Sequence, residues 1–316
     1  MRLKIINKKV VFIITFGLLL FGMMGLYTIE FEKNTYYERL DAALKEKSKN
    51  GYLDRKIINA IDNDQFDDAV MYQHLAEYLG IQLSPNTLNE IEDHSGFLSA
   101  SWRNTKKFSL GFLTGESSGT AGVSGSIAAD MTVYGDLRDL SIEGSNFIQN
   151  KPYDKVIFGM SIIGVGLSVS QLFTFAATTP LKVSASVIKA AKKIGYLSNS
   201  FIKVISLELS KSINFNALKK VDFSSVQSIK KGTNDISKTL DTPLIRTTFK
   251  NIDVIKNNTS IADTIALMKY IDGPKDLQRV ANISKKYKIN TKAVLKILGK
   301  GTVKVLVKST AKIIKW

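Results

Sequence analysis

The sequence has no cysteine, and it has two histidines and five prolines in 316 residues. The absence of cysteine excludes disulfides, thiolate nucleophiles, thiolate zinc sites and iron–sulfur clusters. Two histidines exclude a three-histidine metal site. His74 lies three residues before Glu77, and His94 follows Glu92 and Asp93, spacings that match no ligand motif. The sequence therefore predicts no metal site and no cofactor, and it shows no nucleophile–base pair that would predict an enzyme.

Basic and acidic side chains are segregated along the chain. Residues 1–9 carry four basic side chains, residues 30–155 carry 13 basic and 20 acidic ones, and residues 180–316 carry 27 basic and 8 acidic ones. Residues 10–29 and 156–179, which separate these blocks, are uncharged. Because 44% of the residues are hydrophobic and 23% are charged, the composition excludes both a wholly disordered chain and a polytopic carrier.

Both uncharged stretches are long enough to cross a bilayer as helices. A span needs about 20 apolar residues, and residues 156–179 also contain small residues of the kind that membrane helices use for close packing. The positive charges before the first stretch and after the second predict a bacterial inner-membrane protein with both termini in the cytoplasm and residues 30–155 exported. The alternatives are a cleaved signal peptide for residues 10–29 and a buried core helix for residues 156–179.

Local start and stop signals predict helices in the acidic block. Apolar residues at helical spacing follow Asn63 as far as Leu79, and Gly80 marks the end of that helix. Ser84 and Pro85 form a cap and a first-turn proline, which begin another helix through about residue 93.

The remaining segments predict an all-α protein. We expect residues 30–107 to form an acidic helical domain and residues 180–316 to form a basic one. The Gly/Ser-rich residues 108–140 between them are expected to form a re-entrant or protein-buried segment, or else a flexible loop. Glycines at helical spacing predict close packing against the second span. The candidate packing glycines are Gly111, Gly115, Gly119, Gly122, Gly125, Gly159 and Gly164.

Ionisable residues in and after the glycine-rich segment form a candidate cluster. Asp136 and Asp139 lie three residues apart with Arg138 beside them, and charge that is kept close to a membrane is costly and therefore a functional candidate. The alternative is an ordinary helix N-terminus that Asp136 caps. The predicted cluster comprises Glu116, Asp130, Asp136, Arg138 and Asp139.

The order GDLRDL, Gly144, KPYDK and FGMSIIGVGL over residues 133–168 resembles the glycine–aspartate linker ahead of toxin domains in bacterial polymorphic toxins. The longer stretch GFLTGESSGTAGVSGSIAADMTVYGDLRDL resembles uncharacterised bacterial inner-membrane proteins that carry the same glycine segment before a span. These resemblances over residues 108–168 imply a membrane protein or a toxin-type protein, and they bring no catalytic residue.

The C-terminal block predicts a surface that binds anions. Lysines recur every fourth residue from Lys292 to Lys312 beside apolar residues, which is typical of a cationic amphipathic segment on anionic headgroups. Nucleic acid is a less suitable partner, because Arg279 is the only arginine after Arg246 and few aromatic residues lie among the lysines. The lysines predicted to bind an anionic surface are Lys189, Lys192, Lys193, Lys296, Lys300, Lys304, Lys308 and Lys312.

Together these features predict a non-catalytic inner-membrane scaffold or partner-binding protein that links an exported helical domain to a basic cytoplasmic domain. The expected partners are the lipid bilayer, its anionic headgroups, and either another protein or a second copy of the chain. A pore-forming or toxin-type membrane protein that uses the glycine-rich segment is the second hypothesis, and an unrecognised enzyme is the third.

Overall fold

The computed structural model describes residues 35–100, 133–169, 175–239 and 242–303, together with Phe16 and Met23. These residues are helical or lie in turns and connections, with no strand among them, which confirms the all-α prediction. The chain divides into two units, residues 1–49 with 305–316 and residues 50–304. Helix α1, over residues 35–47, belongs to the first unit.

The second unit holds the other described helices, and 3-10 turns follow two of them, at Met268–Tyr270 and at Lys288–Asn290. In chain order the helices are α2 (Tyr52–Asp62), α3 (Phe66–Leu79), α4 (Pro85–Asp93), α5 (residues 95–100), α6 (Val133–Ile148), α7 (Lys155–Val169), α8 (Phe175–Lys193), α9 (Asn199–Ser212), α10 (Phe215–Leu218), α11 (Val226–Thr239), α12 (Pro243–Asn258), α13 (Ile261–Leu267), α14 (Pro274–Tyr287) and α15 (Thr291–Leu298).

Most of the predicted helix boundaries in the acidic block are confirmed. The side chain of Ser84 accepts a hydrogen bond from the backbone N–H of Thr87, and α4 begins at Pro85. Helix α3 ends at Leu79, and Gly80 follows it in the left-handed conformation that suits glycine. The predicted start was wrong, because Asn63 ends α2 and α3 begins at Phe66.

Helix α7 lies at the centre of a group of helices within the unit 50–304. It packs against α6, α8, α9 and α11, and every residue from 158 to 166 is buried. The surrounding helices are amphipathic: α9 buries Phe201 and Ile205 and exposes Lys203 and Lys211. In the part of the chain that the structure describes, protein therefore covers residues 158–166 of α7.

The predicted second span is not a single helix in this structure. Residues 156–169 belong to α7, and residues 175–179 begin α8. Among the described residues, no helix combines the length and the apolar character that crossing a membrane requires. Apart from Phe16 and Met23, the predicted first span at residues 10–29 lies outside the described residues, as do residues 101–132 of the glycine-rich region.

Acidic and basic segments meet inside the unit 50–304. Asp68 of α3 forms ion pairs with Lys292 and Lys296 of α15, and the rings of Tyr78 and Tyr287 lie 5.8 Å apart. The predicted topology puts these two sets of residues on opposite sides of a bilayer. That topology does not fit the structure, because groups separated by about 30 Å of hydrocarbon do not form ion pairs.

Single cysteines in this cysteine-free chain test the revised topology. Asn63 and Gln278 are both exposed, one in the acidic block and one in the basic block. We expect Asn63→Cys and Gln278→Cys to react alike with a membrane-impermeant maleimide in intact spheroplasts, because both lie in one folded unit. Lysed cells, in which both must react, are the control. Labelling of residue 63 alone would restore the two-span topology.

A close approach of α6 to the segment after α10 generates a second prediction. A Cβ on Gly144 would overlap the ring of Phe223, whereas a Cβ on Gly96 would meet nothing. Gly144→Ala should therefore lower the free energy of unfolding by about 1–3 kcal/mol. Gly96→Ala, the matched control in α5, should be neutral or slightly stabilising. Thermal unfolding followed by circular dichroism measures both, and equal melting temperatures would contradict the close contact.

Candidate functional site

A buried ionic cluster joins helices α6, α7 and α8. Lys189 of α8 is fully buried. Its ammonium group donates hydrogen bonds to Asp136 Oδ1 at 2.5 Å, Asp139 Oδ2 at 2.9 Å and Ser161 Oγ at 3.1 Å. An ammonium group has three hydrogens to donate, so these acceptors use its full capacity. Because a buried charge without partners is very costly, this geometry explains how the helices can pack around a lysine.

Helical periodicity brings the two carboxylates to the same lysine. Asp136 lies in the first turn of α6, and Asp139 follows it after three residues, so both side chains lie on one face of the helix. They are 1% and 5% exposed, respectively. Ser161 is fully buried on α7 and supplies the third acceptor from another direction. The cluster thus connects three helices at one ammonium group.

The two carboxylates have different surroundings. Asp139 also accepts hydrogen bonds from Lys193 Nζ, at 3.1 Å to each oxygen, and it pairs with Arg138 Nη2 at 3.0 Å. Within the described residues, Lys189 is the one cation in ion-pair contact with Asp136. The other carboxylate oxygen, Asp136 Oδ2, is buried and has no hydrogen-bond partner among the described residues. Asp139 thus has three cationic partners, whereas Asp136 has one ion-pair partner, Lys189, and a weaker electrostatic influence from Lys182.

The free oxygen of Asp136 lies against Gly164 of α7. A Cβ at position 164 would overlap this oxygen. Glycine is therefore needed here because the carboxylate occupies the space of a side chain. Gly159, one turn earlier, lies against α9, where an added Cβ would come within 2.7 Å of Leu209 Cδ1. The other predicted packing glycines, Gly111, Gly115, Gly119, Gly122 and Gly125, lie outside the described residues.

The pKa values of the two carboxylates are shifted in opposite directions by burial and by nearby charge. Burial raises the pKa of Asp136 above its ordinary value, and the nearby ammonium of Lys189 opposes this only in part. Burial also acts to raise the pKa of Asp139, but the charge and hydrogen bonds of Lys189, with further hydrogen bonds, outweigh it and hold that pKa below its ordinary value. Asp139 therefore remains ionised to lower pH than Asp136 does.

The structure brings together three members of the predicted charged cluster, Asp136, Arg138 and Asp139, while Glu116 and Asp130 lie outside the described residues. The central member, Lys189, was missing from that prediction. It was assigned to an anionic surface, and this assignment was wrong because its side chain is fully buried. The sequence does indicate this burial, because residues 183–191 include only small or apolar residues besides Lys189. In the structure all of them are buried.

Four more of the predicted surface lysines bind carboxylates of the protein itself. Lys192 pairs with Asp154 at 2.9 Å and Lys300 pairs with Asp272 at 2.5 Å. Lys193 pairs with Asp139, and Lys296 with Asp68. The remaining predicted surface lysines, Lys304, Lys308 and Lys312, lie outside the described residues.

The two histidines lie apart from the ionic cluster. His74 and Glu77 are 3.7 Å apart on α3, and His94 and Glu90 are 3.7 Å apart at the end of α4. In the described part of the chain, no group of three or more potential ligands is arranged to hold a metal ion.

The exposed ionisable residues of the helices after α8 are mainly basic. In residues 199–303, the exposed side chains of the described part include 14 basic residues and one acidic residue, Asp222. Other acidic side chains there are at least partly buried, and Asp263 and Asp276 pair with Lys292 and Arg279. The exposed basic residues are Lys203, Lys211, Lys219, Lys220, Lys230, Lys231, Arg246, Lys250, Lys269, Lys275, Lys285, Lys286, Lys288 and Lys296.

No protein-family model, no curated protein and no solved structure matches this chain. The resemblances of residues 108–168 to inner-membrane proteins and to toxin linkers therefore stay predictions.

Removing the charge of each aspartate in turn tests the ionic cluster. Asp139→Asn removes the carboxylate that Lys189, Lys193 and Arg138 share, and breaking a buried pair in this way costs about 3–5 kcal/mol. Asp136→Asn should cost less, because the amide oxygen still accepts from Lys189 and a charge that burial disfavours is removed. Urea unfolding at neutral pH measures both free energies. Equal losses would contradict the unequal surroundings of the two carboxylates.

The pH dependence of stability follows from the pKa shifts of Asp136 and Asp139. In the unfolded chain both aspartates titrate near a pKa of about 3.9. The raised pKa of Asp136 stabilises the fold at acid pH, and this contribution is lost as the pH rises through its folded pKa. The lowered pKa of Asp139 stabilises the fold above the unfolded pKa. This contribution is lost as the pH falls through the folded pKa of Asp139.

The wild-type protein should therefore lose stability, relative to Asp136→Asn, as the pH rises above the unfolded pKa of about 3.9. Urea midpoints of the two proteins across this range provide the measurement. Parallel curves for the wild type and Asp136→Asn would show that Asp136 does not titrate above its ordinary pKa.

Proposed function

We propose that this protein is a non-catalytic, membrane-associated helical protein whose basic C-terminal helices bind an anionic surface. The observation that carries the proposal is the excess of basic over acidic residues on the exposed faces of residues 199–303. Each lysine close to an anionic bilayer contributes about 1 kcal/mol of binding free energy. A few such lysines on one side of the molecule are enough for stable, salt-sensitive association.

The form of the ionic cluster supports a non-catalytic role. A catalytic group must reach its substrate, whereas Lys189 is fully buried and its three hydrogens are already bonded. The cluster holds α6, α7 and α8 together, and these helices support the basic helices that follow. Its chemistry is that of a structural support for a binding surface.

The sequence of the first unit supports membrane association. Residues 10–29 are uncharged and of spanning length, and four basic residues precede them. In this proposal they attach the chain to a bacterial inner membrane, and the unit 50–304 lies entirely on one side of it. An attached unit also has a raised effective concentration at the bilayer, so that each lysine contact need only be weak.

Lysine is better suited than arginine to this kind of target. Thirteen of the 14 exposed basic residues in residues 199–303 are lysines. Lysine presents a compact charge on a flexible chain, whereas arginine presents a planar fork that suits bidentate recognition of bases and phosphates. This composition favours the diffuse charge of a headgroup layer over a nucleic acid.

Charge reversal on α14 tests the proposal in the full-length protein. The protein is first incorporated into neutral phosphatidylcholine nanodiscs, and its co-sedimentation with vesicles is then measured with and without phosphatidylglycerol. We expect binding to the anionic vesicles only, weakened by salt. Lys275→Glu with Lys285→Glu, both exposed on α14, should reduce this binding at least tenfold, because about 1 kcal/mol is lost for each lysine.

The control makes the same charge change outside the basic helices, with Lys45→Glu and Lys151→Glu, which are also exposed. The control variant should retain most of the binding. Equal binding to neutral and anionic vesicles, or equal loss in both variants, would contradict the proposed surface. Release of a dye enclosed in the vesicles would instead favour the pore-forming hypothesis.

A further inference from the structure

Three aromatic rings from α3, α5 and the end of α4 are stacked at the surface of the unit 50–304. The ring of Phe66, at the start of α3, stacks on the ring of Phe97 with their centres 5.4 Å apart, and on the ring of His94 at 6.3 Å. Phe97 is 63% exposed, and the other two residues are partly exposed. Exposed apolar rings that are bordered by polar residues are typical of a surface that binds another protein.

Carboxylates border these rings. Four acidic residues lie within four residues of Phe66 or His94 along the chain, and all four are exposed. Within the described residues they form no ion pair. The sequence has no lysine or arginine from residue 57 to residue 102. We call the stacked rings and these carboxylates the acidic aromatic face; the carboxylates are those of Asp62, Asp64, Glu92 and Asp93.

The lysines of α15 bind a different side of α3. Lys292 and Lys296 pair with Asp68, and Lys292 also pairs with Asp263 at 3.2 Å. Asp68 follows Phe66 by two residues, so it lies about 200° away around the helix and does not belong to the acidic aromatic face. In the part of the chain that the structure describes, these ion pairs leave the carboxylates of that face without a cationic partner from the same molecule.

Helix α9 has an exposed surface of the opposite character. Its buried side packs against α7 and α12, and its other side exposes Lys203, Leu207 and Lys211. These residues are one turn apart, so the leucine lies between the two lysines in a row about 12 Å long. Leu207 is 55% exposed, and neither lysine forms an ion pair within the described residues. The one carboxylate of α9, Glu208, is partly buried. We call these three exposed residues the basic row.

We propose that the acidic aromatic face of one copy of this protein binds the basic row of a second copy. Leu207 then contacts the exposed ring of Phe97, while Lys203 and Lys211 pair with carboxylates that border the rings. An apolar centre with a charged rim is the usual arrangement of a protein–protein interface, and aromatic residues at the centre contribute much of the binding. Both surfaces are exposed in a single molecule, so both are available to another copy.

Charge selects this contact over the symmetric alternatives. Two acidic aromatic faces repel each other, and so do two basic rows, whereas one surface of each kind attracts the other. The contact is therefore heterologous, and copies joined by it form a closed ring or a longer row. It is separate from the proposed function, because it joins protein to protein and needs no lipid.

Sedimentation velocity of the full-length protein in a non-ionic detergent measures this association. We expect it to increase with protein concentration and to weaken with salt. Phe97→Ala and Leu207→Ala should each weaken it at least about tenfold, because truncation of a central apolar residue is costly. Ile142→Ala is the matched control, since Ile142 is 53% exposed on α6 and lies outside both surfaces. A wild-type protein that stays monomeric, or association that survives Phe97→Ala, would contradict the proposal.

Charge reversal tests the pairing of the two surfaces. One variant combines Asp62→Lys, Glu92→Lys and Asp93→Lys, and the other combines Lys203→Glu with Lys211→Glu. Each variant alone should stay monomeric, because its two surfaces then carry charge of the same sign. An equimolar mixture should associate again, since the reversed surfaces are complementary to each other. Circular dichroism verifies that both variants are folded, and a mixture that stays monomeric would refute the pairing.

The variant Lys275→Glu with Lys285→Glu separates this contact from the proposed function. Both lysines are exposed on α14, outside the basic row, so the variant should associate as the wild type does. Its vesicle binding reports the proposed function independently. If this variant loses association as fully as Lys203→Glu with Lys211→Glu does, general positive charge and not α9 drives the contact, and the proposal is wrong.

Cysteine crosslinking identifies the two surfaces directly, because the chain has no native cysteine. Gly96→Cys lies beside Phe97 in open space, and Ser206→Cys lies beside Leu207. When full-length chains that carry one change each are mixed and oxidised, we expect a disulfide-linked dimer that contains one chain of each kind. Gly96→Cys mixed with Gln278→Cys, on α14, is the control and should give no such dimer. Crosslinking of Gly96→Cys chains only to each other would show a symmetric contact and overturn the heterologous one.

Discussion

A lysine ammonium can be buried only where anionic or strongly polar acceptors take its hydrogens, and Lys189 meets this requirement by binding two aspartates and a serine. These acceptors come from α6 and α7, so the position of α8 is tied to both. The same requirement explains Gly164, because the carboxylate of Asp136 fills the space in which a side chain would stand. With α6 and α8 held in this way, residues 158–166 of α7 are covered by protein.

The charge blocks of the sequence have a different meaning once the chain is folded. Acidic residues that lie in the first half of the chain pair in space with lysines of the second half, as Asp139 does with Lys193, Asp154 with Lys192 and Asp68 with Lys296. Such pairs neutralise the contacts between helices. Other lysines are exposed on the helices after α8. The excess of positive charge on the exposed side chains of these helices supports a binding role for their surface.

Part of the candidate site could be predicted from local spacing. Asp136, Arg138 and Asp139 were recognised as a group because residues three apart share a helix face. Lys189 could not be added in the same way, since it lies 50 residues or more from both aspartates. The segregation of charge along the chain also suggested two compartments. Only the pairing of Asp68 with α15 showed that the acidic and basic segments share one unit.

What the sequence by itself determined was local and compositional. Helical periodicity, the cap at Ser84 and the stop at Gly80 depend on neighbours in the chain, so they could be predicted without a fold. Lack of cysteine excluded thiol chemistry in the same direct way. Only the tertiary structure decided what covers residues 158–166, because hydrophobicity requires removal from water and does not distinguish lipid from protein. It likewise decided that Lys189 is buried and that Gly159 and Gly164 meet Leu209 and Asp136, since such contacts depend on which distant segments pack together.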